Sequence, residues 1–289
     1  MNDKNAPTRE HIVIVAGPTA SGKTALSLKL AHARNGEIIS VDSRQVYTML
    51  TIGTEKISQE QMAGIPHHLI DINDPKVTYS AGEFMADATR LITDILSRGK
   101  TPILAGGTNF YFDALLYGLP ASVANPELRK ELEVKSTPEL MHMLHNSDSR
   151  RATHIDPHNR RRIVRALEIV AEQGSVPERL QQQPRYAVEW HILSPERDEL
   201  RSRIHTRLVE AIEAGLVDEV VRVREYVGDN RLNELGLEYK IIGEYLRGER
   251  GEESLLPTLS SRLWHYARHQ KAWLRKLHIA PITGDSIEV

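Results

Sequence analysis

Residues 17 to 24 read Gly-Pro-Thr-Ala-Ser-Gly-Lys-Thr, a full match to the spacing G-x-x-x-x-G-K-[ST]. Glycines at these places let backbone N–H groups close around phosphate oxygens, the dipole of the helix that follows favours an anion, and Lys23 adds a point charge. Gly17, Pro18, Thr19, Ala20, Ser21, Gly22, Lys23 and Thr24 are therefore a candidate diphosphate- or nucleotide-binding loop, with the Thr24 hydroxyl offered to Mg²⁺. From average composition, a chance match in a chain of this length has a probability of about one in a hundred. The plain alternative is a glycine turn that merely joins a strand to a helix. Phosphate binding by itself leaves kinase, ATPase and diphosphate-using transferase open.

A second candidate is Asp42, which directly follows the apolar run Ile39-Ser40-Val41. An acid there can hold Mg²⁺ through water in a nucleotide kinase or ATPase, or accept a proton from an attacking amine in a transferase. Asp42 or Ser43 can equally cap a turn. Two basic regions offer phosphate contacts. Residues 119 to 165 hold nine Lys/Arg against six Asp/Glu, among them Arg129, Arg161, Arg162 and Arg165. Arg161 and Arg165 lie one helical turn apart, with Ile163, Leu167 and Val170 on the opposite face. Glu168 and Glu172 are the ion-pair partners that the plain reading of this helix assigns. Between Leu255 and Gly284 there is no acid, yet the stretch holds Arg262, Arg268, Lys271, Arg275, Lys276, His265, His269 and His278. Trp264, Tyr266 and Trp273 in the same stretch can stack on bases or pack in a core, and helical spacing favours the core. The 13 histidines show no H-E-x-x-H spacing, so His67 and His68 read as structural.

These groups need elements to position them. HIVIVA at 11 to 16 is a β-branched run ending at the glycine-rich loop, and 24 to 32 has helix composition. GEIISV at 36 to 41 and TPILA at 101 to 105 repeat the pattern of a buried parallel strand. Ser80 and Glu83 form a capping box for a helix through Phe84, Leu91, Ile92 and Ile95 that closes near Gly99. VEWHIL at 188 to 193 supplies one more strand. Ser194-Pro195 is expected to cap a helix with Leu200, Ile204, Leu208 and Ile212 on one face, ending at Gly215. The reading is α/β: a doubly wound parallel sheet of the P-loop NTPase-like kind with a small inserted helical subdomain. Residues 1–118 would form the first part of the core, 119–159 the inserted helical subdomain and 160–289 the completion of the core. In such sheets ligands sit at the carboxyl ends of the strands, which is where the loop, Asp42 and Gly106-Gly107-Thr108 fall.

The chain has 289 residues, 26% of them charged, no cysteine and a formal charge of −2. Disulfides and thiolate zinc sites are excluded, and RNA binding has to rest on local patches rather than on net charge. With no apolar run of membrane-spanning length and a polar start, the expectation is a cytoplasmic protein with no membrane partner.

The ordered blocks GPTASGKT, DSRQVY, IGTEK at 52 to 56, PHHLID at 66 to 71, GGTNFY at 106 to 111 and RRRIVRALE at 160 to 168 resemble the motifs of bacterial tRNA dimethylallyltransferases. The resemblance covers most of the first 120 residues and resumes near residue 155. It implies a dimethylallyl diphosphate donor, Mg²⁺ as cofactor, and as acceptor the adenosine 3′ of the anticodon in the tRNA anticodon stem-loop. Lys23 and the loop amides then stabilise the departing diphosphate, Thr24 helps to hold Mg²⁺, Thr19 lies beside the reacting centre and Asp42 is the general base. Asp42, Ser43, Arg44, Gln45 and Thr108 match positions that touch the flipped nucleotide, and Arg129, Arg161, Arg162 and Arg165 are the further tRNA contacts. The enzyme is expected to be a monomer. Two departures stand out. The family's arginine just upstream of its glycine-tyrosine pair has Arg231 as nearest candidate, in RLNELGLEYK, and Ala272 stands where the family's Q-T-W motif has a hydroxyl. The insert is also short. The rival readings are an adenylate dimethylallyltransferase acting on free nucleotide, a small-molecule kinase using ATP, and an RNA-binding paralogue without catalysis.

Overall fold

A computed structural model describes residues 9–120, 125–177 and 183–281; the polar amino terminus and the end of the acid-free stretch at 282–284 lie outside them. The chain divides into two compact units, 1–117 with 184–289, and 118–183.

In the first unit the β-branched runs form strands, as expected. β1 (His11–Ala16), β2 (Gly36–Val41), β4 (Thr101–Gly106) and β5 (Ala187–Ile192) join a two-residue strand, β3 (His67–His68), in a sheet ordered β3-β2-β4-β1-β5. Every pairing is parallel; Val13 stands opposite Ile103 and Ile14 opposite both Leu104 and Trp190. Alternation divides the apolar side chains between two faces. Val13, Val15, Ile38 and Ile103 pack against Leu26 and Leu30 of α1 (Lys23–Ala33). Ile12, Ile14, Ile39 and Leu104 belong to the larger core, with Phe84, Ile92 and Ile95 of α2 (Ala81–Ser97). The Ser80–Glu83 capping box forms as the sequence indicates. β3 is too short to leave an apolar signature. It is fixed by polar contacts instead: His68 Nε2 lies 2.8 Å from Glu37 Oε2, and His67 Nδ1 lies 2.8 Å from the Ile65 carbonyl.

After β4 comes α3 (Asn109–Tyr117), and four helices complete the sheet's larger core: α8 (Arg197–Glu213), α9 (Leu216–Leu232), α10 (Leu237–Leu246) and α11 (Leu255–Arg275). Leu200, Ile204 and Leu208 of α8 are buried, whereas Ile212 is only half-buried. Ser194-Pro195 does not cap α8. The helix begins two residues later with Glu196 as an N-cap that makes no side-chain bond, and the Pro195 carbonyl accepts from Lys271 Nζ at 2.7 Å, so the Ser-Pro segment ties to α11.

The second unit contains α4 (Pro126–Glu133), α5 (Thr137–Ser147), α6 (Ser149–His154) and α7 (Arg160–Gln173). Its core joins Leu132, Leu140 and Leu144 to Ile163, Leu167 and Ile169. The insert therefore runs past the expected boundary at 159, because the apolar face of α7 closes on α5 rather than on the sheet. Among the described residues, no helix is long and apolar enough to cross a membrane.

Candidate active site

The loop between β1 and α1 is shaped by its glycines. Gly22 is left-handed at φ 89° and caps α1, while a Cβ on Gly17 would lie 2.5 Å from Ser21 Oγ. Lys23 Nζ donates to the Pro18 carbonyl at 2.7 Å. Burial pushes the Lys23 ammonium down to about 8, although Glu55 and Asp42 pull it back up. Ser21 Oγ is buried on the same loop with no partner among the described residues, a polar group left for a ligand.

Asp42 closes the carboxyl end of β2. Its Oδ1 accepts from the backbone N–H of Arg44 at 2.8 Å and of Gln45 at 3.2 Å, so the carboxylate caps its own turn. The second oxygen, Oδ2, has no hydrogen-bond partner among the described residues. The turn-cap and catalytic readings of Asp42 thus describe two oxygens of one group. Ser43 N donates to Thr108 Oγ1 at 3.1 Å, tying the turn to the Gly-Gly-Thr segment after β4. Gln45 is held within the protein: Oε1 accepts from Ser40 Oγ at 2.9 Å, and Nε2 donates to the Thr54 carbonyl at 3.0 Å. Thr19 to Thr24, Asp42 to Gln45 and Gly106 to Thr108 all line one cleft of about 1080 Å³ within the first unit.

Three helices from the end of the chain complete this cleft with residues that local sequence signals did not single out as site residues. Gln270 of α11, buried, takes the Thr19 N–H at 3.0 Å and donates to the Gly107 carbonyl at 2.8 Å, locking the two loops together. Arg207 of α8 donates from Nη1 to Thr19 Oγ1 at 2.6 Å and pairs with Glu55 at 2.6 Å and Glu238 of α10 at 3.2 Å. Burial holds the Glu238 carboxyl above its usual range despite Arg207. The one sequence clue to Arg207 was its place at i+4 from Arg203, off the apolar stripe of α8; both arginines line the cleft.

Arg231 does not fill the place suggested for it. Its guanidinium is spent on the Pro75 and Val77 carbonyls, Tyr47 Oη and Glu234, away from the cleft. Of the aromatic residues in α11, Trp273 donates to Asp113 at 3.1 Å and packs on Phe112, and Trp264 lies under Arg201. Tyr266 alone of the three lines the cleft, 41% exposed. In the second unit, Arg129 and Arg165 both grip the buried carboxylate of Glu168, the former through two nitrogens at 2.6 and 2.9 Å. The ion-pair reading of the helix therefore holds for Arg165 with Glu168, Arg129 joins the same carboxylate from α4, and Arg161 and Arg162 are exposed.

The 17–24 loop at the carboxyl edge of an all-parallel sheet shares one cleft with the Asp42 carboxylate and three arginines, Arg44, Arg203 and Arg207, the place where an enzyme of this sheet architecture receives its substrates. A family model described as IPP transferase matches residues 45–277. The tRNA dimethylallyltransferase of Thermomicrobium roseum is 41% identical over 278 residues, covering 93% of this chain and 84% of its own; that of Anoxybacillus flavithermus is 40% identical, covering 92% and 88%. Among solved structures, the full-length tRNA isopentenylpyrophosphate transferase of Bacillus halodurans superposes with a TM-score of 0.69 at 38% identity, covering 93% of this chain and 87% of that one. A eukaryotic dimethylallyltransferase acting on tRNA gives 0.79 at 28% identity, covering 92% and 70%. The chain belongs to the IPP transferase family.

Proposed function

We infer that the protein is a tRNA dimethylallyltransferase, moving a dimethylallyl group from dimethylallyl diphosphate to the exocyclic amine of the adenosine 3′ of the anticodon and releasing diphosphate. The observation that carries the reaction is the unpartnered Oδ2 of Asp42 in the cleft that also holds Lys23. As the allylic C–O bond loosens, its electron pair passes to the diphosphate, where Lys23, the loop N–H groups and Arg207 meet the growing charge. The amine nitrogen bonds to the same carbon, becomes cationic and gives its proton to Asp42 Oδ2. An anticodon base must leave its stack to reach the cleft, and Arg44 and Tyr266 are placed at that cleft to receive it.

Thr24 is the residue that would hold Mg²⁺, since it opens on the cleft and its hydroxyl has no partner among the described residues; a bound ion would supply further positive charge beside the leaving diphosphate. Arg161 and Arg162 are among the exposed cations of the second unit and are available to tRNA phosphates. The protein is read as a cytoplasmic monomer. The deciding experiment is single-turnover transfer of labelled dimethylallyl to unmodified tRNA, with AMP as rival acceptor and ATP hydrolysis followed alongside. Label in tRNA supports the reading; label in AMP alone, or hydrolysis of ATP without prenyl transfer, refutes it.

A further inference from the structure

The first turn of α10 carries two adjacent polar side chains that the chemistry above does not use. Tyr239 donates to Glu219 Oε1 at 2.7 Å, and the same carboxylate accepts the N–H groups of Thr51, Ile52 and Gly53 at 3.0, 2.8 and 3.0 Å. That loop leads directly to Glu55, which lies 2.6 Å from Arg207 Nε. Glu238 meets the same guanidinium from another side, 3.2 Å from Nη2, while Nη1 points at Thr19 Oγ1. Arg207 is thus gripped on three sides, and two of the grips lead back to one helical turn. Gly236, at φ 145° before that turn, lets the chain enter α10 in a conformation that L side chains rarely adopt.

We propose that Glu238 is a positioning residue for donor binding: it keeps Arg207 aimed along Thr19, so the guanidinium meets the diphosphate already ordered. The proposal rests on reading the cleft as the diphosphate site. Ordering a long side chain only at the moment of binding weakens affinity by up to about tenfold. Glu238 also repels the diphosphate as an anion, and the geometry favours the positioning effect because the carboxylate touches the arginine directly.

The test is calorimetric titration with inorganic diphosphate of the full chain and its variants Glu238→Ala, Glu238→Gln, Arg207→Ala and Arg207→Ala/Glu238→Ala, with urea unfolding of each. Glu238→Ala is expected to weaken binding about tenfold. Glu238→Gln recovers most of the loss, because an amide oxygen still accepts from Nη2. In the Arg207→Ala background the second change moves affinity less than about twofold, since the residue acts through the arginine. Equal weakening in both backgrounds, or tighter binding by Glu238→Ala, overturns the proposal. Failure of the wild type to bind diphosphate would instead refute the diphosphate reading, and this inference with it.

Discussion

Replacing Asp42 by Asn separates the two jobs of its carboxylate. Oδ1 holds the turn by accepting from Arg44 N at 2.8 Å and Gln45 N at 3.2 Å, and an asparagine oxygen in that position keeps both bonds. Oδ2 becomes an amide nitrogen, which cannot take a proton. Loss of a general base costs about 10² to 10⁴ in rate, or about 2.7 to 5.4 kcal/mol of barrier. Single-turnover transfer to tRNA should fall by that factor, while affinity for inorganic diphosphate is held or improves because an anion near Lys23 has gone. Asp42→Ala is worse in a different way. It removes both turn bonds, at roughly 1 kcal/mol each, and loosens the segment that Ser43 ties to Thr108, so tRNA affinity and unfolding midpoint should fall as well. A rate for Asp42→Asn within tenfold of wild type refutes the base assignment, as does a loss traced wholly to weaker tRNA binding.

Four further outcomes follow from the same geometry. Lys23, pushed down to about 8, binds diphosphate as the ammonium, so affinity should be level below that pH and weaken above it by at most tenfold per unit; Lys23→Arg should flatten the limb. The same shift sets a sign for stability: the native state binds the proton less well than the unfolded chain, so Lys23 costs stability below about pH 8, and the cost fades as pH rises toward the ordinary value of 10.5. Gln270→Leu strands the Thr19 N–H and the Gly107 carbonyl, which should cost about 2–4 kcal/mol in urea unfolding and lower single-turnover transfer at least tenfold. Glu219→Leu leaves three N–H groups and Tyr239 Oη unpartnered and should cost at least about 3 kcal/mol; an unchanged urea midpoint would contradict its role as the pillar of the 51–53 loop.

What was legible in the sequence was local. The 17–24 loop is read from eight consecutive residues because the groups proposed to bind phosphate are its own backbone N–H groups, and the left-handed turn at Gly22 is local to it. Asp42 was legible because a strand ending in a polar residue at a sheet edge has one direction to point. The capping box at Ser80 and Glu83 spans four residues, and both partners are visible together. By contrast, Ser194-Pro195 has cap chemistry, yet the tie to Lys271, 76 residues away, draws the segment to α11. The boundary at 159 failed for a similar reason, since the apolar stripe of α7 is real but sequence does not say which core it closes.

The residues that complete the cleft lie beyond any local window. Gln270 is 251 positions from Thr19, and Arg207 is 188. Arg231 shows how distance along the chain misleads: it sits five residues before Gly236, which borders the cleft, but occupies the last turn of α9, where the helix aims it at Pro75 and Val77. Arg207 lies far off in sequence but on α8, whose apolar stripe at Leu200, Ile204 and Leu208 fixes the helix against the core. Once that face is set, a cation one position before Leu208 has its direction fixed too. An arginine on a helix is therefore better judged by its angle from the buried stripe than by its separation from a motif, and by that criterion Arg203 and Arg207 are the arginines to test in donor binding.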